Sequence, residues 1–167
     1  MYDKVTQKDI ERMEAEIEYR KLVVRKEALE AVKEARAHGD LSENFEYHAA
    51  KKDKNANESR IRYLERMVKT AIVIPDDSDE TEVGLNNTVT VRFEDDGSEA
   101  AYKITTTVKE NSLKGLISIE SPLGKALLGH REGDRVHVRV NDTVSYDVVI
   151  KHIENTTDDG SESLRKY

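Results

Sequence analysis

Before Pro75 the chain contains a single glycine, Gly39, and no proline. A stretch of that length without a breaker, rich in charged residues, can satisfy its backbone in isolation only as helix. Ile10, Met13, Ile17, Val24, Ala28, Ala31 and Ala35 recur at steps of three, four and seven, which predicts one uninterrupted helix over 8–37. A second helix is expected over 45–73, with Ala50, Ile61, Leu64, Val68 and Ala71 on one side. Thirty helical residues span roughly 45 Å at about 1.5 Å each. The joint His38-Gly39-Asp40-Leu41-Ser42-Glu43 is short, so the two helices should run antiparallel as a coiled-coil hairpin. Gly39 is placed to stop the first helix. Ser42 with Glu46, or Asp40 with Glu43, could cap the second. The apolar seam is thin and rich in alanine, so residues 1–75 read as an arm rather than a core.

Pro75 and the acidic, turn-rich run to Gly84 break this pattern, making 76–84 a linker. The period then changes from 3.6 to two. Thr88–Phe93, Ala101–Val108, Leu116–Ile119, Arg135–Val140 and Val144–Ile153 read as strands. Ser121-Pro122 opens a short helix through Leu128, with Gly129 as its stop. Residues 85–154 therefore form a mostly antiparallel sheet domain with one short helix, and the fold class is α+β. The remaining residues, 155–167, are acidic and rich in Ser and Thr, and are expected to be a disordered tail.

Composition narrows the function classes. The chain has no cysteine, which removes disulfides and thiolate metal sites. Met1 to Ile10 is polar and charged, unlike a signal peptide, and no apolar run approaches the ~18 residues of a membrane span. A cytoplasmic protein with no membrane partner is expected. The net charge of −7 is uneven: residues 1–75 carry 16 Lys/Arg against 15 Asp/Glu, and 76–167 carry 11 against 19. Such an acidic whole argues against general coating of nucleic acid. Within the arm, however, Lys51 to Lys69 holds seven basic residues against three acidic ones.

Asp40 and Glu43 sit three apart in the tight turn, where both carboxylates can point outward. At a helix start such acids commonly serve as caps and macrodipole partners; they are also the hard oxygen donors that complete a Mg2+ site. His38 and His48 lie nearby, but no HxxxH or HExxH spacing exists to bind zinc. Lys51, Lys54, Arg60 and Arg62 read either as a solvated helix face or as a patch that guides RNA phosphates. By helical spacing Lys51, Lys54 and Arg62 share a side and Lys52 points elsewhere.

The run His38-Gly39-Asp40-Leu41-Ser42-Glu43-Asn44-Phe45-Glu46-Tyr47-His48-Ala49-Ala50-Lys51 closely resembles the tip motif of the Gre family of bacterial transcript-cleavage factors. Only Phe45 departs from the family pattern HGDLSENAEYHAAK. Independently, Ile119-Glu120-Ser121-Pro122-Leu123-Gly124-Lys125-Ala126-Leu127-Leu128-Gly129 resembles the family's C-terminal signature. The resemblance, of GreA rather than GreB type by its modest basic patch, covers residues 5–154. It implies a C-terminal domain with an FK506-binding-protein-like fold that docks at the rim of the RNA polymerase secondary channel through Glu120, Ser121 and Pro122. The hairpin would enter the channel. Asp40 and Glu43 would then help hold a Mg2+ at the polymerase active site, a shared site that exists only in the complex, with no cofactor bound stably to the factor alone. Lys51, Lys54, Arg60 and Arg62 would face the 3′ end of backtracked nascent RNA. The factor would act as a monomer and would not be an enzyme itself: it would stimulate the polymerase's own RNA cleavage and so rescue arrested complexes. A channel-binding inhibitor, a prolyl isomerase or chaperone, and a coiled-coil scaffold are the competing readings. Inhibitory relatives lose the tip motif, which is intact here. Many relatives carry Arg-Pro where this chain has Arg25-Lys26, so no kink is expected in the first helix.

Overall fold

In the computed structural model, residues 2–39, 44–76 and 79–166 are described. They fall into two compact units, Gln7–Ala71 and a second one made of Asp3–Thr6 with Ile72–Lys166. The boundary thus leaves the first few residues with the C-terminal unit. β1 (Lys4–Val5) pairs in parallel with β2 (Ile72–Val73), and the amides of Ile72 and Ile74 donate to the carbonyls of Asp3 and Val5. The chain therefore enters and leaves the helical unit through two adjacent strands, which no period-two pattern of that length could reveal.

The helical unit comprises α1 (Gln7–Tyr19), a π-helical segment (Arg20–Val24), α2 (Arg25–Arg36) and α3 (Phe45–Thr70). Its cross-helix contacts run in opposite senses along the two strands of the hairpin, from Glu16–Arg60 to His38–Glu46, so the pair is antiparallel. Two expectations are corrected here. The first helix is interrupted by the π segment. Beyond it, Val32 rather than Ala31 is buried, while Ala28 and Ala35 keep the expected side. Within the π segment the Arg20 carbonyl accepts from the Arg25 amide and also from Asn57 Nδ2 at 3.3 Å, so the facing helix contacts the backbone where the winding changes.

Apolar burial in the hairpin is confined to its ends: Ile10, Met13, Ile61, Leu64 and Met67 near the base, Val32 and Ala35 toward the tip. The middle is polar. Glu16 Oε2 accepts from Arg20 Nε at 2.7 Å and Arg60 Nε at 2.8 Å, and Arg20 Nη1 donates to Asn57 Oδ1 at 3.0 Å. Burial pushes the Glu16 carboxyl up, but the hydrogen bonds and charges of Arg60 and Arg20 outweigh it and hold the group below its usual range.

The C-terminal unit is a five-stranded mixed sheet in the order β5-β4-β3-β7-β6, formed by β3 (Thr88–Phe93), β4 (Glu99–Thr105), β5 (Leu116–Ser118), β6 (Arg135–Arg139) and β7 (Ser145–Glu154). All pairings are antiparallel except β4 with β5. Alternation works as expected: Val89, Val91, Val136, Val138, Val148 and Ile150 turn to one face and are buried there. That face is covered by α4 (Pro122–Leu127), whose Leu123 and Leu127, one turn apart, enter the same core.

The tail departs from expectation. Residues 155–166 form no helix or strand, yet they are bound to the sheet domain. Asp158 Oδ2 accepts from Lys109 Nζ at 2.9 Å, with both side chains almost fully buried. Glu162 pairs with Lys103, Thr156 Oγ1 donates to the Asn86 carbonyl at 2.6 Å, and the Arg165 amide donates to the Val108 carbonyl at 2.7 Å. Composition made the segment look solvated because its acids find their cations more than forty residues away in sequence. Removing one partner of a buried pair strands the other charge. Asp158→Asn should therefore lower stability by about 3 kcal/mol in urea unfolding of the full chain, and an unchanged midpoint would contradict a docked tail.

Candidate functional site

The first candidate site is the hairpin tip. α2 ends with Ala37 as its C-cap, and the chain turns at Gly39, whose φ of +114° strains any residue with a Cβ. Asp40, Leu41, Ser42 and Glu43 lie outside the described residues, so the two candidate carboxylates are located only by their anchors. Those anchors are well defined. α3 is capped by Asn44, whose Oδ1 accepts from the Tyr47 amide at 3.1 Å; the expected caps, Ser42 and Asp40, lie outside the described residues. The same Asn44 side chain reaches back across the hairpin and donates from Nδ2 to the Ala35 carbonyl at 2.7 Å. One exposed pair, His38 Nδ1 with Glu46 Oε2 at 2.8 Å, closes the loop a second time.

Behind the tip the field turns positive. The Arg36 guanidinium lies 5.7 Å from the Tyr47 ring centre. A hydrogen bond from Arg36 holds the Tyr47 phenol below its usual range against the opposing effect of desolvation, and the charges of Lys51 and Lys54 act in the same direction. Both lysines therefore stand close enough to be felt at Tyr47, about one and two turns before them. Lys51 and Lys52 line a shallow groove with His48, Asn55, Ala56 and Ser59. Lys52 thus joins the patch from which spacing had excluded it. Arg62 is exposed, its Nη2 donating to Ser59 Oγ at 3.4 Å. Arg60 is a correction: it is 6% exposed and bonded to Glu16, so it holds the two helices together and is not presented to RNA. Phe45, the residue that departs from the family pattern, is 86% exposed.

The second candidate site surrounds Glu120, Ser121 and Pro122 in the sheet domain. Ser118 Oγ accepts from the amides of Glu120 and Ser121 at 3.0 and 3.1 Å. Ser121 Oγ accepts from the Gly124 amide at 3.1 Å and donates to the Ser118 carbonyl at 2.6 Å. Two serines thus lock the turn, and Pro122 opens the helix with the φ that its ring imposes. Position 124 has no room for a side chain, since a Cβ there would lie 2.1 Å from the Ser118 carbonyl oxygen. The result is a rigid corner that leaves Glu120 and Pro122 exposed. Next to it an open cleft of about 320 Å³ is lined by Ile74, Pro75, Val83, Leu85, Ile119 and Leu128, with Asp79 and Glu82 at its rim.

Among the described residues, the acidic group that converges enough to consider a metal is Asp158, Asp159 and Glu162. Lys109 and Lys103 already pair with it. No helix among the described residues is long and apolar enough to cross a membrane.

Sequence reasoning pointed to the tip carboxylates, the lysines of α3 and the Ser-Pro corner as candidates. It missed the double role of Asn44 and the structural role of Asn57, because an asparagine's partners across a hairpin leave no local pattern.

Comparison with known proteins gives a consistent picture. The N-terminal domain profile of transcription elongation factors matches residues 4–73, and the C-terminal GreA/GreB profile matches residues 76–155. Transcription elongation factor GreA of Geobacillus kaustophilus is 43% identical over 136 residues, covering 81% of this chain and 86% of that protein. The GreA of Macrococcus caseolyticus is 42% identical over 134 residues, covering 80% and 85%. Among solved structures, Gfh1 of Thermus thermophilus is 27% identical and covers 93% of this chain and all of that one, with a TM-score of 0.43. With two matched domains and relatives above 40% identity, the chain belongs to the GreA/GreB family of transcription elongation factors.

Proposed function

We propose that this protein is a transcription elongation factor that acts on bacterial RNA polymerase, entering its secondary channel hairpin first and stimulating cleavage of backtracked RNA. The observation that carries the reading is the tip: a loop bearing Asp40 and Glu43, tied at both ends by Asn44 and by the His38–Glu46 pair. Carboxylates on such a mount can be delivered to an active site that another protein supplies. Oxygen donors of this kind fit Mg2+, a hard cation that needs only one or two protein carboxylates and keeps its remaining waters. When bound, the ion supplies Lewis-acid stabilisation and a more acidic water. Asp40 and Glu43 contribute negative charge at that point, and the factor itself is not the enzyme.

Lys51 and Arg62, exposed on α3, and the half-buried Lys54 attract the phosphates of the RNA 3′ segment, a contact that weakens with salt. Glu120, Ser121 and Pro122 provide a rigid acidic corner for docking at the channel rim. The factor acts as a monomer in the cytoplasm.

Asp40→Asn with Glu43→Gln preserves shape and removes charge. The double variant should abolish cleavage stimulation in a halted polymerase complex across a Mg2+ series, while competition assays show unchanged polymerase binding. Cleavage at the wild-type rate would overturn metal delivery by the tip. In the sheet domain, Glu120→Lys with Pro122→Ala should raise the factor concentration needed for half-maximal cleavage about tenfold, the loss of one charge-assisted contact, with helicity unchanged. An unchanged concentration would remove this corner from the docking surface.

A further inference from the structure

We infer that Asn44 is a positioning residue for cleavage stimulation: its amide braces the end of α2 against the start of α3 and so fixes both ends of the loop that bears the two carboxylates. The inference rests on the proposed function above, and it concerns a side chain that touches neither metal nor RNA in that reading.

The geometry separates two tasks within one side chain. Oδ1 accepts from the Tyr47 amide at 3.1 Å and caps α3. Any good capping residue would do this, since Asp, Ser and Asn are nearly interchangeable at an N-cap. Nδ2 donates at 2.7 Å to the Ala35 carbonyl, which lies in the last turn of α2. Only an amide serves both. Serine is too short and has one proton, and aspartate has an acceptor where a donor is required. The Ala35 carbonyl also accepts from the His38 amide at 3.2 Å, so the same oxygen anchors the α2 terminus just before Gly39.

Two other side-chain contacts span the described part of the tip, Arg36 with Tyr47 and His38 with Glu46, but neither ties the cap of α3 to a backbone carbonyl of α2. His38–Glu46 spans the same gap, but both side chains are more than half exposed, where an ion pair holds geometry weakly. The apolar contact that would otherwise join the helices here is small: Val32 and Ala35 are buried, and Ala31, Ala35, Ala49 and Ala50 line an open groove. A seam with so little side-chain volume cannot set the relative height of two helix ends to within a fraction of an ångström. A short, directional hydrogen bond from one end to the other can. Displacement of about 1 Å at a reacting centre costs on the order of a hundredfold in rate, so bracing at this point matters to chemistry far more than to stability.

Asn44→Asp tests the inference, because it keeps the cap and turns the bridge into a contact between two acceptors. In the full-length protein alone, amide hydrogen exchange should rise about tenfold at Ala37 and His38, the expected cost of one lost hydrogen bond, while Tyr47 and the centre of α3 exchange as before. In a halted polymerase complex the maximal cleavage rate should fall at least tenfold with the half-saturating factor concentration unchanged. Raised Mg2+ should restore part of that rate. Asn44→Ser, which also keeps a cap, should behave like Asn44→Asp, whereas a role in capping alone would leave both variants active. Wild-type exchange at Ala37 and His38, wild-type cleavage, or a defect that lies only in the half-saturating concentration would each overturn the inference. The Asp40→Asn, Glu43→Gln variant is run alongside. If that variant cleaves normally, the functional reading fails and this positioning role falls with it. If it is inactive while Asn44→Asp is active, only the role of Asn44 is lost.

Discussion

The hairpin depends on Glu16. A two-helix arm made largely of charged residues and alanine has too little apolar surface to hold itself together along its whole length. Midway along, the structure substitutes a polar lock in which Glu16 binds Arg20 on its own helix and Arg60 on the other, and Asn57 binds both the guanidinium and the carbonyl of Arg20. Desolvation would penalise an isolated carboxylate at this position. Two guanidinium groups, one of them 6% exposed, make burial tolerable and give it direction. The π segment lies at the same contacts, with the Arg20 carbonyl shared between the Arg25 amide and Asn57. Arg25–Glu58 and Lys21–Glu65 extend the lock along the surface.

The arrangement sets polarity along the arm. Past the lock, the buried apolar residues of α2 are only Val32 and Ala35, and directional bonds from Asn44 and His38 take over at the end. Acidic residues occupy the loop, and Arg36, Lys51, Lys52 and Lys54 stand behind it. In the proposed role, a negative tip followed by a positive flank would attract a divalent cation at the front and a polyanion along the side. This is the charge order that a factor needs if it contributes carboxylates to a metal while accommodating RNA. The sheet domain needs no such field. Its contribution is a rigid corner, produced by Ser118, Ser121 and the steric exclusion of any side chain at position 124.

Sequence and structure agree where the signal is local and periodic. Thr88–Phe93 is a strand with the expected limits because alternating valines can bury on only one face. Ser121-Pro122 starts a helix because cap and ring both favour it. The misses share a different physics. Asn44 was not legible as a cap with two tasks because its second partner, Ala35, lies nine residues back in the sequence and on the facing helix. Arg60 looked like one more cation in a basic run, and only the opposing Glu16 makes it structural. The tail looked disordered because its acids and the buried Lys109 are far apart along the chain. The four tip residues from Asp40 to Glu43 are the converse case. Their residue types and spacing were legible in the sequence, and the structure describes the frame around them.

The central claim is that this chain lends its tip to another protein's active site. Addition of the purified full-length protein to a halted bacterial polymerase complex with 3′-end-labelled RNA tests it most directly. The account predicts rapid release of short 3′-terminal fragments, dependent on Mg2+ and absent when polymerase is omitted. Equal yields of fragments with and without the protein, at concentrations that saturate its binding, would contradict it.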